Sequence, residues 1–325
     1  MFIGRQIEAG LSVEGTRNTA ESTVSKWVKN VTADIITQTE KIQDDNTRGR
    51  LETHEGGRVV QKWHEGTLEG VLHADAIGYL MTNIYGDVTS TTVAGSVHSH
   101  AFTLDQTIEH PTLTVFMHDA DVNKVKLNGA VLSSLEVSAT VDDYVRFNSN
   151  IIALDKVTDA TTPTYSTEYD FIGKDVSIKV ADTELGLASA TALKAKNATI
   201  TWEVENIRNH ILGQYTADSN YNANFGLSVS ITKDYEDNTF KELFEGDDYK
   251  YVQIHIEGDA NIGGGNKPSM TILLNKGQVT EWSRSGGSDE SVTEEFTFMG
   301  FYNNTDGQSS EVTLQNLTSE YIATS

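Results

Sequence analysis

The stretch Gly66–Gly86 reads GTLEGVLHADAIGYLMTNIYG, a strand that feeds a helix. Ile77, Leu80, Met81 and Ile84 recur at i, i+3, i+4 and i+7, which puts four apolar side chains on one helical face. Asp75 stands where a cap would accept the first free N–H groups, and Gly86 where the helix would stop. A second stretch, Gly226–Gly246 (GLSVSITKDYEDNTFKELFEG), has the same length and order of parts. Laid on the first without gaps, it puts Phe240 and Phe244 on Leu80 and Ile84. Further on, Pro111–Phe116 falls on Pro268–Leu273, and the alternating strand Leu135–Val141 on Val292–Phe298. The ungapped match sets Leu68 on Ser228, a slip that would turn the strand over; one gap at the strand–helix junction sets it on Leu227. The expectation is one strand–helix–strands unit used twice in tandem.

Composition narrows the field. The 325 residues are ample for two domains. Cysteine is absent, which removes disulfides, thiolate metal sites and a cysteine nucleophile. No secretory leader is apparent, and no apolar run approaches the ~20 residues that span a bilayer. Acidic residues number 47 against 24 basic ones, a formal net charge of -23. Such a surface repels DNA phosphate and acidic membranes; solubility, a salt-adapted host, or the need to pass nucleic acid without holding it would each explain it. Abundant Thr, Val, Ser, Gly and Asn, with only 3 Pro, indicate a mainly β chain with few helices.

The expected order is an N-terminal arm (1–22), a first β domain (23–175) and a second β domain with a polar tail (176–325). Trp27 and Trp202 are read as matching core anchors of the two halves. Lys41–Gly57 and Glu205–Asn224 are long polar loops in matching places, and loops of that length are usually functional or disordered. Asp87–Val97 and Asp155–Tyr169 read as loop and linker, and Asn128-Gly129 as a hairpin turn. Leu135, Val137, Ala139, Val141, Val145 and Phe147 share the apolar face of one long strand, and Glu136, Ser138, Thr140, Asp142 and Arg146 the wet one. In the last clear strand Val292, Phe296 and Phe298 face inward.

Catalytic and metal motifs fail on spacing. Asp119-Ala-Asp121-Val-Asn123 opens like a calcium loop, but Lys124 stands where Gly belongs and Ala130 where the bidentate Glu belongs, so a solvated turn is expected. His98-Ser-His100 sets two imidazoles on one face of a strand, more simply a surface pair than a metal pair. Gly263–Ser269 is not a phosphate loop, since Pro268 stands where a helix should begin. Neither a cofactor nor an enzymatic activity is expected.

The arm GLSVEGTRNTAES, the Trp-bearing strand Ser25-Lys-Trp27-Val and the run Lys41-Ile42 … Arg48-Gly49-Arg50-Leu51-Glu52 together resemble the start of tail tube proteins of long-tailed phages. The resemblance implies a β-sandwich domain with one helix, whose inner sheets join around a ring into a closed barrel. Rings stack into a hollow tube through which genome DNA is ejected. It also implies a virion tail protein made in the host cytoplasm, with other copies of itself, the tape measure, the terminator and the distal tail protein as partners, and DNA passing without specific binding. Some members carry a duplicated domain, so that three chains make a pseudo-sixfold ring; otherwise six would. On this reading Glu65, Thr67, Glu69, Glu136, Ser138, Thr140, Asp142, Thr293 and Glu295 would line the channel. Asp44, Asp45, Arg48, Arg50 and Glu52, in the early loop, would reach the next ring. The alternative is a two-domain β-sandwich adhesin or carbohydrate-binding module, with Tyr215, Tyr221 and Tyr249 as its exposed aromatics.

Overall fold

The computed structural model describes residues 3–44 and 49–322. The first half runs β1 (Ile7–Val13), β2 (Lys26–Val28), β3 (Val31–Gln43), β4 (Gly57–Val71), helix α1 (Ile77–Tyr85), β5 (Gly86–Ala94), β6 (Val97–Leu104), β7 (Leu113–Asp119), β8 (Asn123–Thr140), β9 (Arg146–Ala153) and β10 (Asp155–Thr158). The second runs β11 (Val176–Ala181), a single turn α2 (Glu184–Leu187), β12 (Ala195–Asn209), β13 (Ser219–Asp234), helix α3 (Thr239–Glu245), β14 (Lys250–Glu257), β15 (Ser269–Ser285), β16 (Thr293–Gly300) and β17 (Ser310–Asn316). Every strand pairing is antiparallel.

Two layers enclose the core. One is a continuous sheet of eight strands in the order β3-β4-β9-β8-β12-β13-β16-β15. The other is made of β2-β1-β7-β8-β10 and of β11-β14-β15-β17-β6-β5. β8 and β15 belong to both layers, each starting in the covering layer and ending in the eight-stranded one. Asn128-Gly129 is therefore no hairpin turn: it lies inside β8 at that passage, and the positive φ of Gly129 (58°) serves the bend. The β7–β8 turn is instead the failed calcium loop around Ala120–Val122.

The two halves repeat one pairing diagram. The set β1-β7-β8-β9-β4-β3, with β10 beside β8, corresponds to β11-β14-β15-β16-β13-β12, with β17 beside β15. Their irregularities coincide. The step between Leu132 and Ser134 against β9 matches that between Val279 and Glu281 against β16. The step between Leu113 and Val115 against β8 matches that between Lys250 and Val252 against β15. Each half opens on a 3-10 turn closed by the same bond: the Ile3 N–H donates to Gln6 Oε1 at 3.2 Å, and the Ile172 N–H to Asp175 Oδ2 at 3.0 Å.

Counted from these bulges, the correspondences differ from the ungapped sequence match. Leu68 opposes Ser149 as Ile231 opposes Phe296, so its counterpart is Ile231, not Ser228 or Leu227. Pro111–Phe116 leads into β7, the counterpart of β14, whereas Pro268–Leu273 opens β15. Leu135–Val141 ends β8, whereas Val292–Phe298 belongs to β16, the counterpart of β9. The cause is the β5–β6 hairpin, which lies after the helix in the first half alone and slides the match one strand out of step. Asp87–Val97, expected to be a loop, is most of that hairpin. Trp202 sits in β12, the counterpart of β3, while Trp27 sits in the short β2, so the two are not equivalent.

Other expectations are corrected by burial. Residues 1–22 contain β1, bonded on both sides and buried at its centre, so this stretch is not a loose arm. The linker contributes β10, and its Glu168 is buried beside Lys26 (3.3 Å) and His73 (3.6 Å). Asp75 caps nothing; the helix starts after Ala76, and Asp75 meets Lys26 at 3.1 Å. The long strand read from Leu135 to Phe147 breaks at a turn, which leaves Val141 exposed. Val292 is exposed too, and Glu294 takes the inward place, held by Lys233 at 3.2 Å and the Trp282 Nε1–H at 2.9 Å. The tail supplies β17, and Tyr321 packs edge-on against Tyr79 of α1.

Among the glycines of β4, Gly66 has the least room for a side chain. A methyl group there would lie 1.9 Å from the Asp34 carbonyl oxygen and 2.7 Å from the Ile35 Cα, both backbone atoms. Gly66→Ala is expected to cost about 1–3 kcal/mol by prising the hairpin apart. Gly226→Ala, whose added methyl would find its nearest neighbours at 3.9 Å, is the tolerated control in the same thermal melt.

Candidate functional site

The outer face of the eight-stranded sheet is a wet, acidic surface. Pairing fixes which side chains share it. Glu69 opposes Asn148, which opposes Glu136, which opposes Thr201 across the joint between halves, and Thr201 opposes Ser228. A parallel row runs Asp34, Thr67, Asn150, Ser134 and Glu203. In the second half Ser230 opposes Thr297 and Thr232 opposes Glu295. The alternate residues Leu68, Leu135, Val137, Ile200, Trp202, Ile231, Phe296 and Phe298 are buried on the other side. The period of two explains the division: polar residues at alternate positions leave water on one face and core on the other.

Eight of the nine residues singled out from the sequence lie together on this face: Glu65, Thr67 and Glu69 on β4; Glu136, Ser138 and Thr140 on β8; Thr293 and Glu295 on β16. Asp142 does not; it belongs to the β8–β9 turn at the sheet's end. Sequence reading missed Asp34, Glu203 and Glu281, which the registers place on the same face. Alternation in β3 and β12 carried that signal, but only the β8–β12 pairing fixes which side they share. Arg146 also faces this side; its Nε–H donates to Asp143 at 2.9 Å, and that bond holds the Asp143 carboxyl below the usual carboxylate range. Apart from Arg146, the charged residues named on the face are all acidic: Asp34, Glu65, Glu69, Glu136, Glu203, Glu281 and Glu295.

The polar partners on the face are short-range and internal. Trp63 Nε1–H donates to Glu65 at 2.8 Å, Ser230 to Glu295 at 3.2 Å, and Asn150 to Ser134 at 2.7 Å. Among the described residues no group of three His, Asp or Glu side chains is placed to hold a metal. His100 is buried, its Nδ1 bonded with Ser90 (2.8 Å) and its Nε2 with Asn316 (3.1 Å), so it is not half of an open metal pair with His98.

The described part of Lys41–Gly57 is the tip of a hairpin that outruns the sheet, whereas Glu205–Asn224, expected to be a loop, is largely the ends of β12 and β13, with Ser219, Asn220 and Asn222 buried and the Asn222 N–H donating to the Ile108 carbonyl at 3.0 Å. β9 stops pairing with β4 at His64, and β16 stops pairing with β13 at Ser228, so β3–β4 and β12–β13 continue as two-stranded arms. The arms touch: the Lys62 N–H donates to the Tyr215 carbonyl at 2.8 Å, and the Arg208 guanidinium lies over the Trp63 ring at 4.1 Å. Within the first tip, Asp44 accepts the N–H groups of Gly56 (2.7 Å) and Glu55 (3.0 Å), and these bonds, Gly56 first, hold its carboxyl below the usual range. Asp44 therefore closes its own loop. Arg50 and Glu52 are exposed at the tip; Asp45 and Arg48 lie outside the described residues.

A profile described as phage tail tube protein matches residues 4–300. The chain belongs to the phage tail tube protein family. The tube protein is thus a structural component of the virion tail. No curated protein matches the chain. The three tyrosines of the adhesin reading form no shared platform. Each ring meets its own cation: Lys62 on Tyr215, Arg17 on Tyr221 and Lys276 on Tyr249. Among the described residues no helix is long and apolar enough to cross a membrane.

Proposed function

We propose that the protein polymerises as stacked rings into the hollow phage tail tube and conducts genome DNA into the host, without enzymatic activity of its own. The observation that carries this is the continuous eight-stranded sheet, core-backed on one face and acidic on the other. Wrapped into a ring, that sheet becomes a wall whose bore is the acidic face. The shared pairing diagram supports a duplicated unit, so that three chains supply six units to each ring. Three such sheets give a perimeter of about 150 Å and a bore of about 45–50 Å between backbones, before side chains intrude. That leaves room for a double helix, which the wall repels rather than holds. The same surroundings imply contacts with the tape measure, terminator and distal tail proteins at the tube's ends and interior.

Negative-stain microscopy of the purified protein tests this directly. Rings or tubes with a central bore are expected; monodisperse monomers that bind glycans would overturn it. The β3–β4 arm is assigned to contacts between successive rings, where its exposed tip charges are weak singly and additive around a ring. Deleting Asp44–Gly56 is expected to leave a folded protein, because that tip stands beyond the sheet, but to abolish tubes longer than single rings. Tubes of normal length from the deleted protein would remove the arm from ring stacking.

A further inference from the structure

The two halves of one chain are joined by β8 and β12, paired antiparallel from Ser134 with Glu203 to Thr140 with Asn197. The outermost strands of the eight-stranded sheet are β3, bonded to β4 alone, and the end of β15, bonded beyond Gly277 to β16 alone, among the described residues. These free edges are the second instances of the two strands that the joint uses. β15 holds in the second half the place of β8, and β3 holds in the first half the place of β12.

We infer that β15 of one copy pairs with β3 of the next as β8 pairs with β12 within the chain, and that the register carries over. The inference rests on the tube reading and gives its ring a specific seam. Leu132 and Val279 mark the same bulge, so Glu136 corresponds to Ser283 and Ser138 to Ser285. Thr32 opposes Glu69 as Asn197 opposes Thr232, so Asp34 corresponds to Thr199 and Ile36 to Thr201. The internal pairs Glu136–Thr201 and Ser138–Thr199 then become Ser283 opposite Ile36 and Ser285 opposite Asp34 of the next copy. One step further, Glu281 meets Gln38.

Three observations favour this register. Each edge carries a row of backbone groups without a strand partner, which pairing would satisfy. Ile36 is 57% exposed in the single chain, an apolar side chain at an open edge, and the seam sets the small Ser283 directly beside it. No like charges are opposed: Asp34 meets a serine and Glu281 a glutamine. A slip of one residue would turn the acidic side chains of one copy toward the core side of its neighbour.

The absence of native cysteine makes the seam readable by cross-linking. The double variant Ile36→Cys with Ser283→Cys is assembled, oxidised and run on a non-reducing gel. Its band at the chain mass of 35.6 kDa is expected to move to twice and three times that mass. Ile36→Cys with Glu281→Cys, out of register by two residues, is expected to stay at the chain mass, because such thiols stand too far apart to bond. Glu136→Cys with Thr201→Cys, the internal pair, is expected to lose both thiols to titration without changing mass. If the double variant does not assemble, the two single-cysteine proteins are assembled together, which puts one thiol on each side of the seam. Tubes in which the shifted pair links and the first pair does not would overturn the register. Tubes in which neither links, while the internal pair closes, would overturn the seam. Wild-type protein that forms no rings at all would overturn the tube reading itself, and the seam with it.

Discussion

Exchanging Glu65, Glu69, Glu136 and Glu295 for lysine is expected to slow or stall DNA ejection at low salt while leaving the subunit folded. All four side chains lie on the wet face, away from the buried residues between the layers, so no core contact is lost. Each exchange replaces a charge that repels phosphate with one that binds it. Inside a closed bore the field is stronger than on an open surface, because the enclosing protein screens poorly. Every lysine that captures a phosphate displaces condensed counterions, so the logarithm of the retardation should fall linearly with the logarithm of salt concentration. The measurement is ejection from particles whose tails contain the variant, across low and high salt. Ejection at the wild-type rate throughout would mean that this face does not line the bore.

The second large effect concerns the helices. Leu80 is 1% exposed on α1, a helix buried along its whole length and packed against β1, β5, β6 and β8. Phe240 of α3 stacks on Phe296 with ring centroids 3.9 Å apart. Leu80→Ala is expected to cost about 2–5 kcal/mol and Phe240→Ala about 3–5 kcal/mol, the transfer loss plus a residual cavity. Phe244, at 42% exposed, gives the contrast: Phe244→Ala should change stability by less than about 1 kcal/mol. Denaturant midpoints at unchanged slope would measure all three. A Phe244 effect as large as that of Leu80 would restore the ungapped match between the two helices.

That contrast shows what the sequence could and could not carry. The strand–helix passage at Gly66–Gly86 was legible because periods of two and 3.6 meet there within one short stretch, and Gly86 stops the helix with a φ of 83°. The wet faces of β4, β8 and β16 were legible because alternation is local. The exact equivalence of the halves was not, because Gly and Pro recur at turns of any kind and an inserted hairpin shifts everything after it. Leu243, not Phe244, is buried beside Phe240, and nothing local separates those two neighbours. The strand β17 was read as tail because its polar residues face partners from distant parts of the chain, among them Asn316 with His100. Glu294 was unreadable for the same reason: its inward place depends on Lys233 and Trp282, which other strands deliver.

The β5–β6 hairpin adds a consequence for whatever meets the tail from outside. Among the described residues it occurs once, in the covering layer, and its inner strand β6 is hydrogen-bonded to β17 of the other half. The halves therefore borrow from one another and cannot be cut apart at the boundary without leaving β17 a bare edge. In a ring of three copies the backbone of the bore would be close to sixfold, while its side chains and the exterior would repeat only every third of a turn. A sheath, decoration or antibody docking on that hairpin would find three places per ring, whereas anything travelling inside would meet six strand sets alike in backbone and alternating in charge.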